Sequence, residues 1–396
     1  MAQIEILAQK INHQLHVVVL NTDSEIIDLY IDSKDAFPVW ESIYLGRVEK
    51  IDTVLNAAFV NLGGNQQGIL PCKNVFSLTN THNADSHKIS EFLKPGDTML
   101  VQVTAEGQQK THAEYEKLAR LTMNIHFTGR WFKYAPFKNS NIISRRLQNP
   151  VVKEFAQNLS SDHGWIMRTT ADRANIEHLT TEKSALITDW QTIQKMQETR
   201  PDTPRLLNKG ANAILRALID YGNTDIKRVE IAEDCAPNWI REWCDLHYPD
   251  LHDKLSIIPI HKIDLFEMRD IHTFLEEASQ PRIALAGGGS LIFEHTHAMT
   301  VIDVNRGTAK NIKALNLQAA VEVARQMRIR NISGAILVDF VSMRSRSDRY
   351  ELITKLKEKT GEDPAHPHIY GFTRLGIMEI TRSRRTAPLL EKYRDI

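Results

Sequence analysis

The sequence has few cysteines, no long apolar run and no overall excess of charge of either sign. Its 396 residues include three cysteines, Cys72, Cys235 and Cys244. None forms a C-x-x-C pair, so neither a disulfide framework nor a cysteine zinc site is expected. No apolar stretch approaches the roughly 20 residues that span a bilayer, and the first residues do not follow a signal-peptide pattern. We therefore expect a cytoplasmic protein.

The composition is that of an ordinary folded protein. Hydrophobic residues make up 42% of the chain and charged residues 25%, values that exclude a disordered, collagen-like or coiled-coil protein. At about 150 residues per domain, the length predicts two to three domains.

The net charge of zero hides an asymmetry along the chain. Residues 281–396 contain 19 basic and 12 acidic residues, a net charge of +7, so the rest of the chain carries −7. The basic third is suited to a phosphate-bearing ligand. A solvated basic helix face would give the same count, so charge alone does not decide between the two.

The pattern of apolar segments predicts a barrel followed by mixed regions and a final α/β block. Residues 42–104 contain short apolar segments broken by Gly, Asn and Pro, which is typical of a small antiparallel barrel. In the final block, residues 282–293 predict a hairpin around three consecutive glycines. Strands alternating with helices in that block favour a layered α/β catalytic unit. The strands are predicted at 299–304, 335–340, 369–373 and 377–381, and the helices at 315–330 and 348–359.

Two aspartates stand inside apolar strands of this block, Asp303 in MTVIDVN and Asp339 in GAILVDF. A carboxylate in such a place is costly unless it is paired or binds a metal. If the two strands are neighbours, the carboxylates converge. With a nearby amide they make an oxygen site suited to Mg²⁺. The alternative is that each pairs with a basic residue of the intervening helix, such as Arg325 or Arg328.

Other candidate residues have two readings each. Phe59 is either a stacking platform on an OB-type barrel or a core residue. Arg168 and Thr169 end a strand before a helix, where threonine is an ordinary cap and where an arginine could instead hold a terminal phosphate. His295 and His297 share a strand face, but two histidines without a third ligand do not predict a zinc site.

Taken together, several segments resemble the ribonuclease E/G family of bacterial endoribonucleases. They keep the family's order and approximate spacing from about residue 40 to 385, and the last three are the most specific. The segments are IYLGRVEKI with AAFVNLG, GRWFKYAP with ISRRL, GWIMRTTA, LIFEHTHAMTVIDVNRG, LQAAVEVARQMRIRNISGAILVDFVSM and GFTRLGIMEITRSR.

The resemblance implies a multidomain α+β and α/β fold like the catalytic half of these enzymes, with a chain of about ribonuclease G size. It consists of a split RNase-H-like subdomain, an inserted OB-type barrel of the ribosomal-protein S-one kind, a 5′-sensor region and a DNase-I-like catalytic subdomain. Carried onto this chain, these parts are residues 1–38 with 217–280, 39–124, 125–216 and 281–396.

The resemblance also implies roles for individual residues. Asp303 and Asp339 fall on the magnesium aspartates, with Mn²⁺ as an alternative cation, and Asn305 on the asparagine that positions the scissile phosphate or water. Phe59 and Lys110 fall on barrel residues that contact single-stranded RNA. Gly129, Arg168 and Thr169 fall on the residues that sense a 5′-phosphate.

The chain departs from the family pattern at several points. Ile69 replaces the second barrel aromatic, and His297 stands where a carboxylate is expected. A sensor arginine aligns near His366. The C-x-x-C zinc link would begin past the last residue, so neither zinc nor the usual zinc-linked dimer is expected, and the long partner-recruiting tail is not in the sequence.

The implied function is a Mg²⁺-dependent endoribonuclease that acts in the processing and decay of RNA, including rRNA and mRNA. An activated water would attack the phosphodiester of single-stranded RNA and leave 3′-hydroxyl and 5′-phosphate ends. Two alternatives stay open: a catalytically weak RNA-binding regulator of the same fold, and a metal phosphohydrolase for small nucleotides.

Overall fold

A computed structural model describes residues 3–32, 38–75, 87–107, 117–159, 164–259, 264–296 and 298–389. These residues form 21 strands and seven α-helices. The strands are β1 (Gln3–Ile11), β2 (Gln14–Leu20), β3 (Ile26–Ile31), β4 (Ile43–Asp52), β5 (Ala57–Gly63), β6 (Gln66–Pro71), β7 (Thr98–Ala105), β8 (Ala119–Thr122), β9 (Phe127–Thr128), β10 (Phe132–Ala135), β11 (Ile142–Ile143), β12 (Gly164–Met167), β13 (Arg205–Asn208), β14 (Asp225–Ala232), β15 (Leu255–Ile258), β16 (Arg282–Ala284), β17 (Ser290–His295), β18 (Met299–Asn305), β19 (Gly334–Asp339), β20 (His368–Phe372) and β21 (Met378–Arg382). The helices are α1 (Pro150–Gln157), α2 (Ile176–Thr199), α3 (Ala213–Asp220), α4 (Ile240–His247), α5 (Ile271–Ser279), α6 (Ile312–Ile329) and α7 (Arg346–Thr360).

The chain divides into two compact units. The first unit comprises Met1–Ile4, Ser33–Ile231 and Ala236–Ile257, and the second comprises Glu5–Asp32, Ala232–Cys235 and Ile258–Ile396. No helix within the described ranges is both long enough and apolar enough to cross a membrane. The three cysteines are buried thiols.

A closed barrel lies in the first unit. Strands β4, β5, β6, β8 and β7 pair in that order, and β7 pairs back onto β4. Alternating residues point inward, among them Val48, Val60 and Leu121, which are at most 2% exposed. The predicted OB-like barrel is thus confirmed in outline.

The first unit also contains a small sheet in the order β11-β12-β10-β9. Its core is rich in aromatic rings, with Tyr134 stacked on Trp165 at a centroid distance of 4.4 Å. Helix α2 supplies Trp190, whose ring meets Phe127 edge-on at 6.4 Å. The aromatic packing fixes the strand ends that carry Gly129 and Arg168.

The second unit is built on a six-stranded sheet in the order β16-β17-β18-β19-β21-β20. Strands β18 and β19 are parallel and joined by the crossover helix α6, while the other described neighbours run antiparallel. Leu291, Ile302, Ile336 and Met378 point to one face and pack with buried residues of α6 and α7. The opposite face carries polar and half-exposed residues, and we call it the open face.

The structure therefore confirms a mixed α+β chain with an OB-like barrel. In the final block it confirms the predicted hairpin, both helices and all four strands to within a few residues. The finer division into RNase-H-like, sensor and DNase-I-like parts stays a prediction.

Candidate active site

The two strand aspartates lie side by side on the open face. Strands β18 and β19 are parallel neighbours, and Asp303 is in register with Asp339. Neighbouring strands are about 4.8 Å apart, and residues in register point to the same face. Both carboxylates therefore project from adjacent strand ends into the same space, as the sequence predicted if the strands were neighbours.

The electrostatics of this pair disfavour two full negative charges side by side. Burial raises the pKa of Asp303 above its ordinary value, and the carboxylates of Asp339 and Glu294 raise it further. Asn305 donates from Nδ2 to Oδ2 of Asp303 at 3.1 Å. The two neighbouring carboxylates oppose a negative charge on Asp303, whereas the Asn305 hydrogen bond favours it. A divalent cation would relieve the repulsion between the carboxylates.

The donor set fits a hard cation such as Mg²⁺. Carboxylate and amide oxygens are its preferred protein ligands, and it commonly takes only one or two carboxylates and keeps several waters. Within the described residues no group of three or more His, Cys, Asp or Glu is arranged to hold a metal. A cation at Asp303 and Asp339 would therefore complete its shell with water or a substrate phosphate.

The alternative partners of the aspartates are engaged elsewhere. Arg328 donates to Oδ2 of Asp28 at 2.8 Å, and Arg325 donates to Oε1 of Glu322 at 2.8 Å. An arginine beside Asp303 would lower the pKa of that carboxyl, whereas its neighbours raise it. The ion-pair reading of Asp303 is therefore wrong.

The end of β18 is held by a glycine contact that sequence reasoning missed. Gly307 has φ +52°, and a Cβ there would lie 2.2 Å from the carbonyl oxygen of Gly288. Thr308 donates its backbone N–H to the same oxygen at 3.0 Å. The loop of Gly287 to Gly289 is a hairpin turn, as predicted, and it also packs against the segment that follows Asn305.

A buried asparagine fixes the segment after Asp339. Asn316 of α6 is fully buried and donates from Nδ2 to the carbonyl of Val341 at 2.7 Å. This polar residue stands on the helix face that otherwise buries Leu315 and Ala319. An asparagine on the buried face of a predicted helix is a signal in the sequence for such a contact, but the sequence analysis did not use it.

The predicted 5′-sensor residues come together in the first unit. Arg168 donates from Nη1 to the carbonyl of Gly129 at 2.6 Å and from Nη2 to the carbonyl of Ile219 at 3.2 Å. The Thr169 hydroxyl lies 2.9 Å from the hydroxyl of Ser144. Arg168 and Thr169 are both half-buried, so each is partly accessible.

On the barrel, Phe59 points away from the core. Its strand neighbours Ala58 and Val60 are fully buried, whereas Phe59 is half-buried. Ile69 is directly opposite on β6, and Nζ of Lys50 lies 6.0 Å from the Phe59 ring centroid. The interpretation of Phe59 as a core residue is therefore wrong. Its ring instead offers an apolar surface with a nearby cation.

Four further positions were singled out in the sequence. Lys110 and His297 lie outside the described residues. His366 is exposed in the turn before β20, where it has φ +51°. His295 lies on β17, with Nδ1 3.0 Å from the Thr300 hydroxyl.

Comparison with known proteins now decides the family. The model of the ribonuclease E/G family matches residues 126–385. The chain belongs to the ribonuclease E/G family. Within this family it is similar to ribonuclease E of Nostoc, with 31% identity over 89% of this chain and 52% of that protein. It is 30% identical to ribonuclease E of Escherichia coli over 96% of this chain and 37% of that protein. It is also 26% identical to ribonuclease G of Haemophilus influenzae, over 97% and 80% respectively.

The ribonuclease E/G chain described here is thus shorter than many of its relatives. It spans about half the length of the cyanobacterial ribonucleases E that it matches. The family match includes both strand aspartates and the Gly129–Arg168 contact.

Proposed function

We propose that this chain is a Mg²⁺-dependent endoribonuclease that cleaves single-stranded RNA and leaves 3′-hydroxyl and 5′-phosphate ends. The observation that carries the proposal is the register of Asp303 with Asp339 on parallel strands, in a chain that belongs to a ribonuclease family. The relatives bear the names ribonuclease E and ribonuclease G. We expect the activity to serve RNA processing and decay.

Asp303, Asp339 and Asn305 have different roles in the proposed reaction. Asp303 and Asp339 would hold the cation, which when bound polarises the phosphodiester and activates water. Asn305 keeps the Asp303 carboxylate oriented through its 3.1 Å hydrogen bond. An amide has two N–H donors and an acceptor oxygen, so Asn305 can keep this bond and still contact the scissile phosphate or water.

RNA binding would use two further sites. The outward ring of Phe59 offers a surface on which a base can stack, and nearby Lys50 adds a cation. Lys110 stays a predicted RNA contact. Arg168 and Thr169 offer a guanidinium and a hydroxyl to a 5′-phosphate, next to Gly129.

The decisive experiment measures cleavage of a fluorogenic single-stranded RNA with and without Mg²⁺. Asp303→Asn and Asp339→Asn should each lower the rate by at least about a hundredfold, an effect of roughly 2.7 kcal/mol on the barrier. Glu379→Gln is the matched control because it removes a carboxylate from the same face without touching the pair. It should change the rate by less than about threefold.

The outcome separates the proposal from its rivals. Full activity in either aspartate variant would refute the metal assignment. Tight RNA binding without Mg²⁺-dependent cleavage by the wild type would favour an RNA-binding regulator, which the replacement of a stacking ring by Ile69 also suggests. Turnover of small nucleotides but not of RNA would indicate a phosphohydrolase.

A further inference from the structure

The backbone turn after β9 presents three consecutive N–H groups to one buried carboxylate. Glu182, in α2, is 1% exposed. Its Oε1 accepts from the backbone N–H of Arg130 at 2.6 Å, and its Oε2 accepts from Trp131 and Phe132 at 2.8 and 2.9 Å. Three charge-assisted hydrogen bonds make the burial of this charge tolerable.

The carbonyl groups of the same peptide units are held from the other side by residues 168–170. The Gly129 carbonyl accepts from the Arg168 guanidinium, and the Trp131 carbonyl accepts from the Arg168 backbone N–H at 2.9 Å. The carbonyl between them, that of Arg130, accepts from the Thr170 hydroxyl. Because the C=O and N–H of a trans peptide point in opposite directions, three successive peptide planes are clamped between Glu182 and the Arg168 segment.

Gly129 is required by Glu182 and not by its own backbone. A Cβ at this position would meet three atoms of the Glu182 carboxylate, Cδ at 2.5 Å, Oε1 at 2.6 Å and Oε2 at 2.8 Å. The φ angle of Gly129 lies outside the left-handed region, so an L side chain would be tolerated if Glu182 were shorter. The two residues therefore form one structural unit.

We propose that Glu182 is a positioning residue for recognition of the RNA 5′-phosphate. Glu182 orients the Gly129 peptide and thereby the carbonyl that accepts from the Arg168 guanidinium. It also occupies the three backbone N–H groups, so that Arg168 and Thr169 are the groups that contact the phosphate. This inference rests on the 5′-phosphate role given to Arg168 above. It adds Glu182 of α2, which acts through the Gly129 peptide and Arg168.

The test compares two RNAs of identical sequence, one with a 5′-monophosphate and one with a 5′-hydroxyl. We define the end preference as the ratio of their kcat/KM values. Glu182→Gln should lower the end preference by at least about fivefold, the loss expected when a charge-assisted hydrogen-bond set becomes neutral. Glu177→Gln, an exposed glutamate at the start of the same helix, should leave the end preference unchanged.

A second pair of variants tests the coupling directly. Gly129→Ala alone should lower the end preference because its methyl group meets the Glu182 carboxylate. Gly129→Ala combined with Glu182→Asp should recover part of the loss, since the shorter carboxylate withdraws from the methyl group. A merely structural role would lower the rates on both RNAs together and would show no such recovery.

Each result bears on one claim. If Glu182→Gln leaves the end preference unchanged, whether by equal losses of kcat/KM on the two RNAs or by no loss on either, the positioning role is refuted. If the wild type cleaves both RNAs equally well, the 5′-phosphate site and this inference both fail while the endoribonuclease proposal stands. If the wild type cleaves neither RNA, the proposed function fails. Fluorescence anisotropy with 2′-O-methyl versions of the two RNAs then tests the inference. Loss of the 5′-phosphate binding preference in Glu182→Gln supports it, and persistence of that preference refutes it.

Discussion

The buried ion pair between Asp363 and Arg382 supports the sheet that carries Asp303 and Asp339. Arg382, the last residue of β21, donates from Nε to Oδ2 of Asp363 at 2.7 Å and from Nη2 to Oδ1 at 3.2 Å. The side chains are 6% and 1% exposed. Nη1 of Arg382 also donates to the carbonyl of Ile332 at 3.0 Å, just before β19. One guanidinium thus ties two neighbouring strands to the turn before β20.

Asp363→Asn should destabilise this unit by about 3–5 kcal/mol, because it leaves the Arg382 charge buried and unpaired. Burial acts to raise the pKa of Asp363, but the charge and hydrogen bonds of Arg382 outweigh it and hold the pKa below its ordinary value. The unfolded carboxyl titrates near pH 4. The stabilisation is therefore complete above about that pH and is lost as the pH falls through the lower folded pKa.

Hydrogen exchange is the suitable assay, since all six tryptophans lie in the other unit. The opening free energy of peptides covering β20 and β21 should fall by the stated amount at pH 7. The difference in opening free energy between Asp363→Asn and the wild type should narrow as the pH falls below about 4. Glu358→Gln is the control, because it breaks an exposed pair with Lys355 and should leave the opening free energy nearly unchanged. A loss below about 1 kcal/mol at pH 7, or one that grows with acid, would refute the reasoning.

Three further predictions concern RNA binding and the close contact between Gly307 and Gly288. Phe59→Ala should weaken binding of single-stranded RNA by about 1–3 kcal/mol, measured by fluorescence anisotropy, because one base loses its stacking surface. Gly307→Ala should lower kcat in the fluorogenic cleavage assay at least about tenfold, because its methyl group would lie 2.2 Å from the Gly288 carbonyl oxygen and displace the end of β18. The slope of log K against log salt should be shallower than about −6, because binding rests on stacking and few phosphate contacts.

Controls distinguish these effects from general damage. Leu206→Ala removes an exposed apolar side chain of β13 and should leave RNA affinity unchanged. Equal losses of affinity in both variants would contradict the stacking role. Gly376→Ala places a side chain at φ +89° with nothing within 4 Å, so it tests backbone strain without a clash. If it lowers kcat as much as Gly307→Ala, the clash is not the cause. A salt slope of −6 or steeper would indicate a larger phosphate-binding surface.

The local pattern of apolar and polar residues predicted the strands and helices of the final α/β block well, because each of these elements buries one face. It missed β1, whose apolar alternation is interrupted by the buried polar residues Glu5 and Gln9. Gln9 bonds Asp264 at 2.9 Å and Glu5 pairs with Arg269 at 3.2 Å. These partners are distant in sequence, so the reason for burying a polar side chain there could not be read locally.

The site shows the same limit. The sequence identified Asp303 and Asp339, but only long-range pairing decides that their strands are parallel neighbours in register. Glu182 carries no local signal, since it resembles the exposed Glu177 of the same helix until the turn at Gly129 is placed against it. Alternation alone also left Phe59 undecided, because the pattern does not tell which face of a barrel strand points inward.

The open face has an electrostatic consequence for the proposed order of cation and RNA binding. Its register places Glu294, Asp303 and Asp339 on one surface, so in the proposed function the polyanionic RNA approaches a cluster of like charge. Without a divalent cation these carboxylates would repel the RNA backbone, and a cation held by Asp303 and Asp339 would offset the charge of that pair. Under the proposed function, the cation would then control admission of the RNA strand as well as its scission.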